Sequence, residues 1–261
     1  MFELAVNNIS KNFGGLQALN KVSFKVRGPE LIGLIGPNGA GKTTLTNILD
    51  GVIKPSQGTV YLNGRRIDPL PPYQVARTGL GRTFQVTRAF RRMTVLENLL
   101  VPAMASQATA SRKDLEKRAW EVLEFLTFEH LAHDYARSLS GGQQKLLELG
   151  RLLMLDPDII ILDEPFAGVH PRLMEKIYEY ITTINARGKA LIIISHNMDT
   201  IFTLSQRLLV LNFGELIADG PPEQVRQNPA VIEAYLGEEE ELADSSPESA
   251  PADNFAREGG A

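Results

Sequence analysis

The sequence predicts an α/β fold: a mainly parallel sheet, an N-terminal antiparallel β segment and a helical insert. Three observations carry this expectation. The runs Ile159–Leu162, Ala190–Ile194 and Leu208–Leu211 are short and wholly apolar, the character of strands buried on both faces. Between the first two, Met174, Ile177, Tyr178, Ile181 and Ile184 recur at helical spacing, and strand–helix–strand order implies parallel strands joined by right-handed crossovers. The stretch from about 88 to 137 holds few strand-like runs and places Leu115, Ala119, Val122, Leu123 and Leu126 on one helical face.

The elements follow in order. Phe2, Leu4 and Val6, then Val22, Phe24 and Val26, alternate with polar residues, as half-buried antiparallel strands do. Leu31–Ile35 is an apolar run ending at Gly36, and a Gly-rich turn leads from it into a helix over Lys42–Asp50, stopped by Gly51. Gly58–Gly64 reads as a further antiparallel strand. Lys145–Leu155 reads as a helix entered through Ser140-Gly141-Gly142. Residues 1–237 form one domain on this reading, with a core of about 1–86 and 150–237 and a helical insert of about 87–149.

The chain has 261 residues, 43% hydrophobic and 22% charged, ordinary values for a globular protein. It has no cysteine, which excludes disulfides, thiolate metal sites and cysteine nucleophiles. Met1–Ser10 lacks a basic region followed by a long apolar run, so a secretory signal is not expected. The apolar runs are too short to cross a bilayer. The net charge of −4 hides an asymmetry: residues 238–261 hold eight acidic residues and one basic, leaving the rest at +3. That tail is Pro/Ser/Ala-rich with few large apolar groups, so disorder is expected there. The mild overall charge gives no support to a nucleic-acid surface.

Three segments carry chemistry. Gly36-Pro37-Asn38-Gly39-Ala40-Gly41-Lys42-Thr43 fits G-x-x-x-x-G-K-[ST] between an apolar strand and a helix. Its glycines let backbone N–H groups turn toward phosphate oxygens, and the helix N-terminus adds positive potential. Lys42 is the expected partner of the β- and γ-phosphates, and Thr43 offers a hydroxyl to magnesium. The strand Ile159–Leu162 ends in Asp163 and Glu164. Beside a phosphate loop, the first suits magnesium and the second suits an attacking water. Ser140-Gly141-Gly142-Gln143 forms a second helix start of anion-binding type.

Together these residues resemble the ATP-binding cassette family, the ATPase subunits of ABC transporters, over about Phe2 to Gly237. The motifs stand in the family's order: Gly36 to Thr44 as Walker A, Gln85 as the Q-loop, Leu139 to Gln143 as the signature, Ile159 to Pro165 as Walker B and His196 as the switch histidine. The resemblance implies a RecA-like core and a head-to-tail dimer, with each ATP between one copy's Walker A and the other's signature. Ser140 and Gly142, flanked by Gly141 and Gln143, would contact the partner's γ-phosphate. Glu164 would be the catalytic carboxylate. Thr43, Gln85 and Asp163 would serve Mg2+, Gln85 would also touch the attacking water, His196 would hold the γ-phosphate and the water, and Phe13 would stack on adenine. Two departures stand out: His170 where the family often has aspartate, and Ser195 where close relatives tend to have an acid.

Arg82-Thr83-Phe84-Gln85, Phe90–Asn98 and Asn228–Gly237 resemble importers for branched-chain and related amino acids. This implies an identical or paralogous ATPase partner, integral-membrane permease subunits, a substrate-binding protein upstream, and a place on the cytoplasmic face of the inner membrane. Residues 86–101 would meet the permease, with Phe90 and Met93 in the coupling groove. Urea importers and lipopolysaccharide export ATPases are the close alternatives, and a soluble ABC ATPase the distant one.

Overall fold

A computed structural model describes residues 2–84, 88–106 and 111–235. Gln85 and the acidic tail, about which the sequence made definite expectations, lie outside the described residues. Two sheets organise the rest. The first is antiparallel, built from β1 (Glu3–Phe13), β2 (Leu16–Arg27), β4 (Gln57–Leu62) and β5 (Arg65–Arg66) in the order β2-β1-β4-β5. The second has six strands: β3 (Leu31–Ile35), β6 (Leu80–Arg82), β7 (Ile159–Asp163), β8 (Ala190–Ile194), β9 (Arg207–Asn212) and β10 (Glu215–Gly220). Its order is β10-β9-β3-β8-β7-β6, parallel except for the β9–β10 hairpin at one edge.

The apolar runs are strands buried on both faces, as expected: every residue of β3 and β8 is buried. One face packs against the antiparallel sheet through Leu4, Val6, Leu19 and Val60, with α1 (Lys42–Leu49) contributing Leu45, Ile48 and Leu49. The other face packs against α6 (Pro171–Ala186) and α7 (Met198–Leu204). Tyr180 joins Ile177, Ile181 and Ile184 on the buried side of α6. Smaller helices, α2 (Pro72–Arg77) and α8 (Pro222–Arg226), close the edges.

The helical region contains α3 (Val95–Ser106), α4 (Arg112–Phe125) and α5 (Gly141–Leu153). Leu115, Ala119, Val122, Leu123 and Leu126 are all buried, so the amphipathic reading of α4 holds. The helix expected from Lys145 begins earlier. Ser140 caps α5 by accepting from the Gln143 amide, and Gln143 Oε1 accepts from the Ser140 amide, a reciprocal capping box. This pairing fixes the first turn at Gly141.

Chain direction decides where the site sits. Leu34 and Asp163 both pair with Ile194, so β3, β8 and β7 end at the same edge of the sheet. Open parallel sheets bind ligands at that carboxyl edge. Gly36 leaves β3 with φ +148, and a Cβ there would strike the Leu211 carbonyl. Gly39 has φ +77 but nothing within 4 Å of a built Cβ. Gly36→Ala should therefore cost roughly 2–4 kcal/mol of stability, and Gly39→Ala about 1 kcal/mol from backbone strain alone. Urea unfolding of both variants measures the difference; equal losses would contradict the packing argument.

Candidate active site

Lys42 opens α1 and is buried, its Nζ donating to the carbonyls of Gly36 at 2.5 Å and Pro37 at 2.8 Å. The lysine is thus folded over the loop, with its charge at the mouth of the helix N-terminus. Thr43 is exposed beside it. A cleft of about 390 Å³ joins Phe13, residues 38–44, Asp163, Glu164 and His196. Phe13, at the end of β1, is about half exposed, with Lys11 Nζ 5.0 Å from its ring centre. Residues remote in sequence thus line one cavity.

The carboxylates differ in surroundings. Asp163 ends β7, and its Oδ2 accepts from Arg82 Nη2 at 2.7 Å. The buried Arg82 guanidinium also donates to Asn47 and Asp50, at 2.7 and 2.9 Å. Burial raises the Asp50 pKa, and Arg82 opposes the rise. Glu164 lies one residue beyond, buried, at φ +50. Burial pushes its carboxyl above the usual carboxylate range, against the pull of His196 and its backbone N–H. His196 Nε2 stands 3.2 Å from Glu164 Oε1, close enough for an ion pair but not aligned for a hydrogen bond. The exposed imidazole meets a buried acid at the edge of the cleft.

Thr43 and Asp163 present hard oxygen donors to the same cleft, and Arg82 takes only one oxygen of Asp163. That donor set suits magnesium held mainly through phosphates. Among the described residues no group of three or more His, Cys, Asp or Glu could hold a metal by itself.

Ser140, Gly141, Gly142 and Gln143 do not line this cleft. Ser140 and Gly141 are exposed and Gly142 and Gln143 half-buried at the start of α5. His170, at the position where aspartate was expected, caps α6, its Nδ1 accepting from the Arg172 amide at 3.3 Å. Ser195 is buried, and its Oγ accepts from the Asn197 amide. His130 and His133 are exposed.

The fold has close counterparts. The ABC transporter family model matches residues 19–167, and the branched-chain amino acid ATP-binding cassette transporter model matches residues 215–241. The chain is 42% identical over 249 residues to the high-affinity branched-chain amino acid transport ATP-binding protein LivG of Salmonella typhimurium, covering 90% of this chain and 98% of that one. The chain belongs to the ABC transporter family. The ADP conformation of an ABC transporter cassette superposes with a TM-score of 0.80 at 36% identity, covering 91% and 99% of the two chains. A dimeric bacterial ABC transporter cassette superposes at 0.75 with 27% identity, covering 84% and 98%. This cassette is accordingly a nucleotide-binding ATPase coupled to transport. Among the described residues no helix is long and apolar enough to cross a membrane.

Several site features escaped sequence reading. Phe213, 85% exposed at φ +43 in the β9–β10 turn, adds a second aromatic to the cleft; an aromatic before Gly214 in a tight turn was the available signal. Asn98 is fully buried, accepting from the Phe90 amide and donating to the carbonyls of Phe90 and Thr94. It clamps the segment that precedes α3. Glu148 is buried on α5, where its Oε1 accepts from the Phe84 amide at 3.3 Å, beside Arg88, Arg151 and Lys145.

Burial raises the Glu148 pKa from 4.5 to about 7. Folding thus favours its protonated form, a contribution complete below pH 4.5 and lost as pH rises through 7. The loss amounts to about 3 kcal/mol. Glu148→Gln should stay neutral, flatten the stability–pH curve over this window and unfold later in urea at pH 8. An unchanged slope would show that another group carries the dependence.

Proposed function

We propose that this cassette is the ATP-hydrolysing subunit of an importer for branched-chain or related amino acids, working as a head-to-tail dimer beneath a membrane permease. The relatives that carry the branched-chain amino acid name support the substrate class. One observation carries the reading of the chemistry: Lys42, Asp163, Glu164 and His196 share a cleft from which the signature residues are absent. A nucleotide in that cleft has phosphate donors on one side only. A second copy supplying Ser140, Gly141, Gly142 and Gln143 from its exposed helix start would complete the enclosure. The dimeric cassette among the structural neighbours supports that assembly.

In this reading the amides of residues 36–44 and the Lys42 ammonium bind the β- and γ-phosphates. Phe13 supports the adenine ring. Thr43 and Asp163 would hold magnesium, with Gln85 as a further ligand; bound there, it neutralises phosphate charge. Arg82 orients Asp163. Glu164 accepts a proton from the attacking water, and its burial-raised basicity improves the match to neutral pH. His196 restrains the carboxylate and the water.

Glu164→Gln tests the assignment: nucleotide binding should persist while turnover falls by about 100-fold or more. Hydrolysis at the native rate would remove Glu164 from the mechanism. The permease contact is assigned to the segment held by Asn98, where Phe90 and Met93 are 42% and 38% exposed. Phe90→Asp with Met93→Asp should leave nucleotide affinity intact and abolish co-purification with the permease. Undiminished co-purification would place the contact elsewhere.

A further inference from the structure

The first turns of α5 carry a lysine that neither the phosphate loop nor the signature uses. Lys145 lies two residues after Gln143 and is half-buried. Its Nζ reaches the turn that follows β7 and donates to two carbonyls, Glu164 at 2.9 Å and Ala167 at 2.5 Å. These carbonyls lie at either end of the short turn carrying the carboxylate.

That turn needs external support. Glu164 has φ +50, a left-handed conformation that costs an L-residue about 1–2 kcal/mol. Its amide donates to the Ile194 carbonyl of β8 at 2.9 Å, so one side of the residue is tied to the sheet. Its carbonyl receives the Ala167 amide at 3.3 Å and the shorter Lys145 bond. The charged donor is the better partner, since ammonium–carbonyl bonds are charge-assisted. The same lysine lines a cavity of about 30 Å³ together with Glu148, Asp163 and Glu164. Methionine at this position would fill similar space but leave both carbonyls without the ammonium.

We propose that Lys145 is a positioning residue for hydrolysis, holding the Glu164 turn in its left-handed form and tying the signature helix to the carboxylate of the same chain. This rests on the reading of Glu164 as the catalytic carboxylate. In a head-to-tail dimer the signature of one chain meets the nucleotide of the other. The Lys145 bonds therefore give each chain a rigid link between the two nucleotide sites. Displacing Ser140 moves the start of α5, and α5 carries Lys145 with it.

The test uses the full-length chain, with three readouts: steady-state MgATP hydrolysis, affinity for a fluorescent ATP analogue, and melting temperature. Lys145→Met should lower kcat by about tenfold or more, because small displacements of a reacting group carry large rate penalties. Analogue affinity should stay within about twofold, since the Lys145 ammonium bonds the turn after β7. Lys145→Arg, which restores a charged donor, should recover most of kcat. Lys145→Gln keeps a donor without the charge, so its kcat should fall between those of the other two. It also serves as the test variant if the methionine form melts early. A kcat near native in Lys145→Met, with turnover abolished in Glu164→Gln, would overturn the proposal and leave the Glu164 assignment standing. Native turnover in Glu164→Gln would overturn that assignment itself. Arginine no better than methionine, or affinity falling in step with kcat, would reduce Lys145 to a packing residue.

Discussion

The parallel pairing of β3, β8 and β7 is the constraint on which the rest of the site depends. Its register sets Leu34 and Asp163 both against Ile194. The phosphate loop, the acidic pair and His196 therefore leave the sheet at one edge. A slip of one residue in β7 would exchange the faces of Ile160 and Ile161, each fully buried in a different core cluster. Two-sided burial thus makes the register costly to change. The chemistry inherits its precision from that packing.

Charge is distributed around this edge in a graded way. Arg82 bridges Asp50 and Asp163, one cation between two acids, and braces α1 against β7. Glu164 has no such partner on its buried oxygen: an exposed histidine stands nearby and a lysine grips its backbone rather than its carboxylate. The acid proposed for magnesium is thus paired with a guanidinium, and the acid proposed as base keeps a raised proton affinity through burial. Adjacent residues in sequence acquire different surroundings because Arg82 pairs with Asp163 and burial dominates at Glu164.

Much of this was legible beforehand. The buried strands, the glycine-rich turn and the amphipathic face of α4 obey simple periodicities, and all of them appear where expected. The start of α5 was placed late, since a Ser-Gly-Gly run reads as loop until the Ser140–Gln143 capping box is seen. β6 and β10 went unseen. A three-residue edge strand has too little pattern to register, and β10 alternates weakly at the sheet margin. Glu148 and Lys145 were missed for a common reason. Each acts through a residue in another element of the chain, and no local spacing reveals such a partner.

The sequence by itself determined the class of fold, the phosphate loop, the acidic pair after a buried strand and the order of motifs that marks the family. These are local: backbone conformation, hydrophobic period and short-range chemistry are written in consecutive residues. Only the tertiary structure decided that Asp163 would share Arg82 with Asp50, that Glu164 would be buried in a left-handed turn, and that the signature helix would reach that turn through Lys145. The physical reason is that burial and ion pairing depend on which strands and helices become neighbours. That choice is made by the packing of the whole chain.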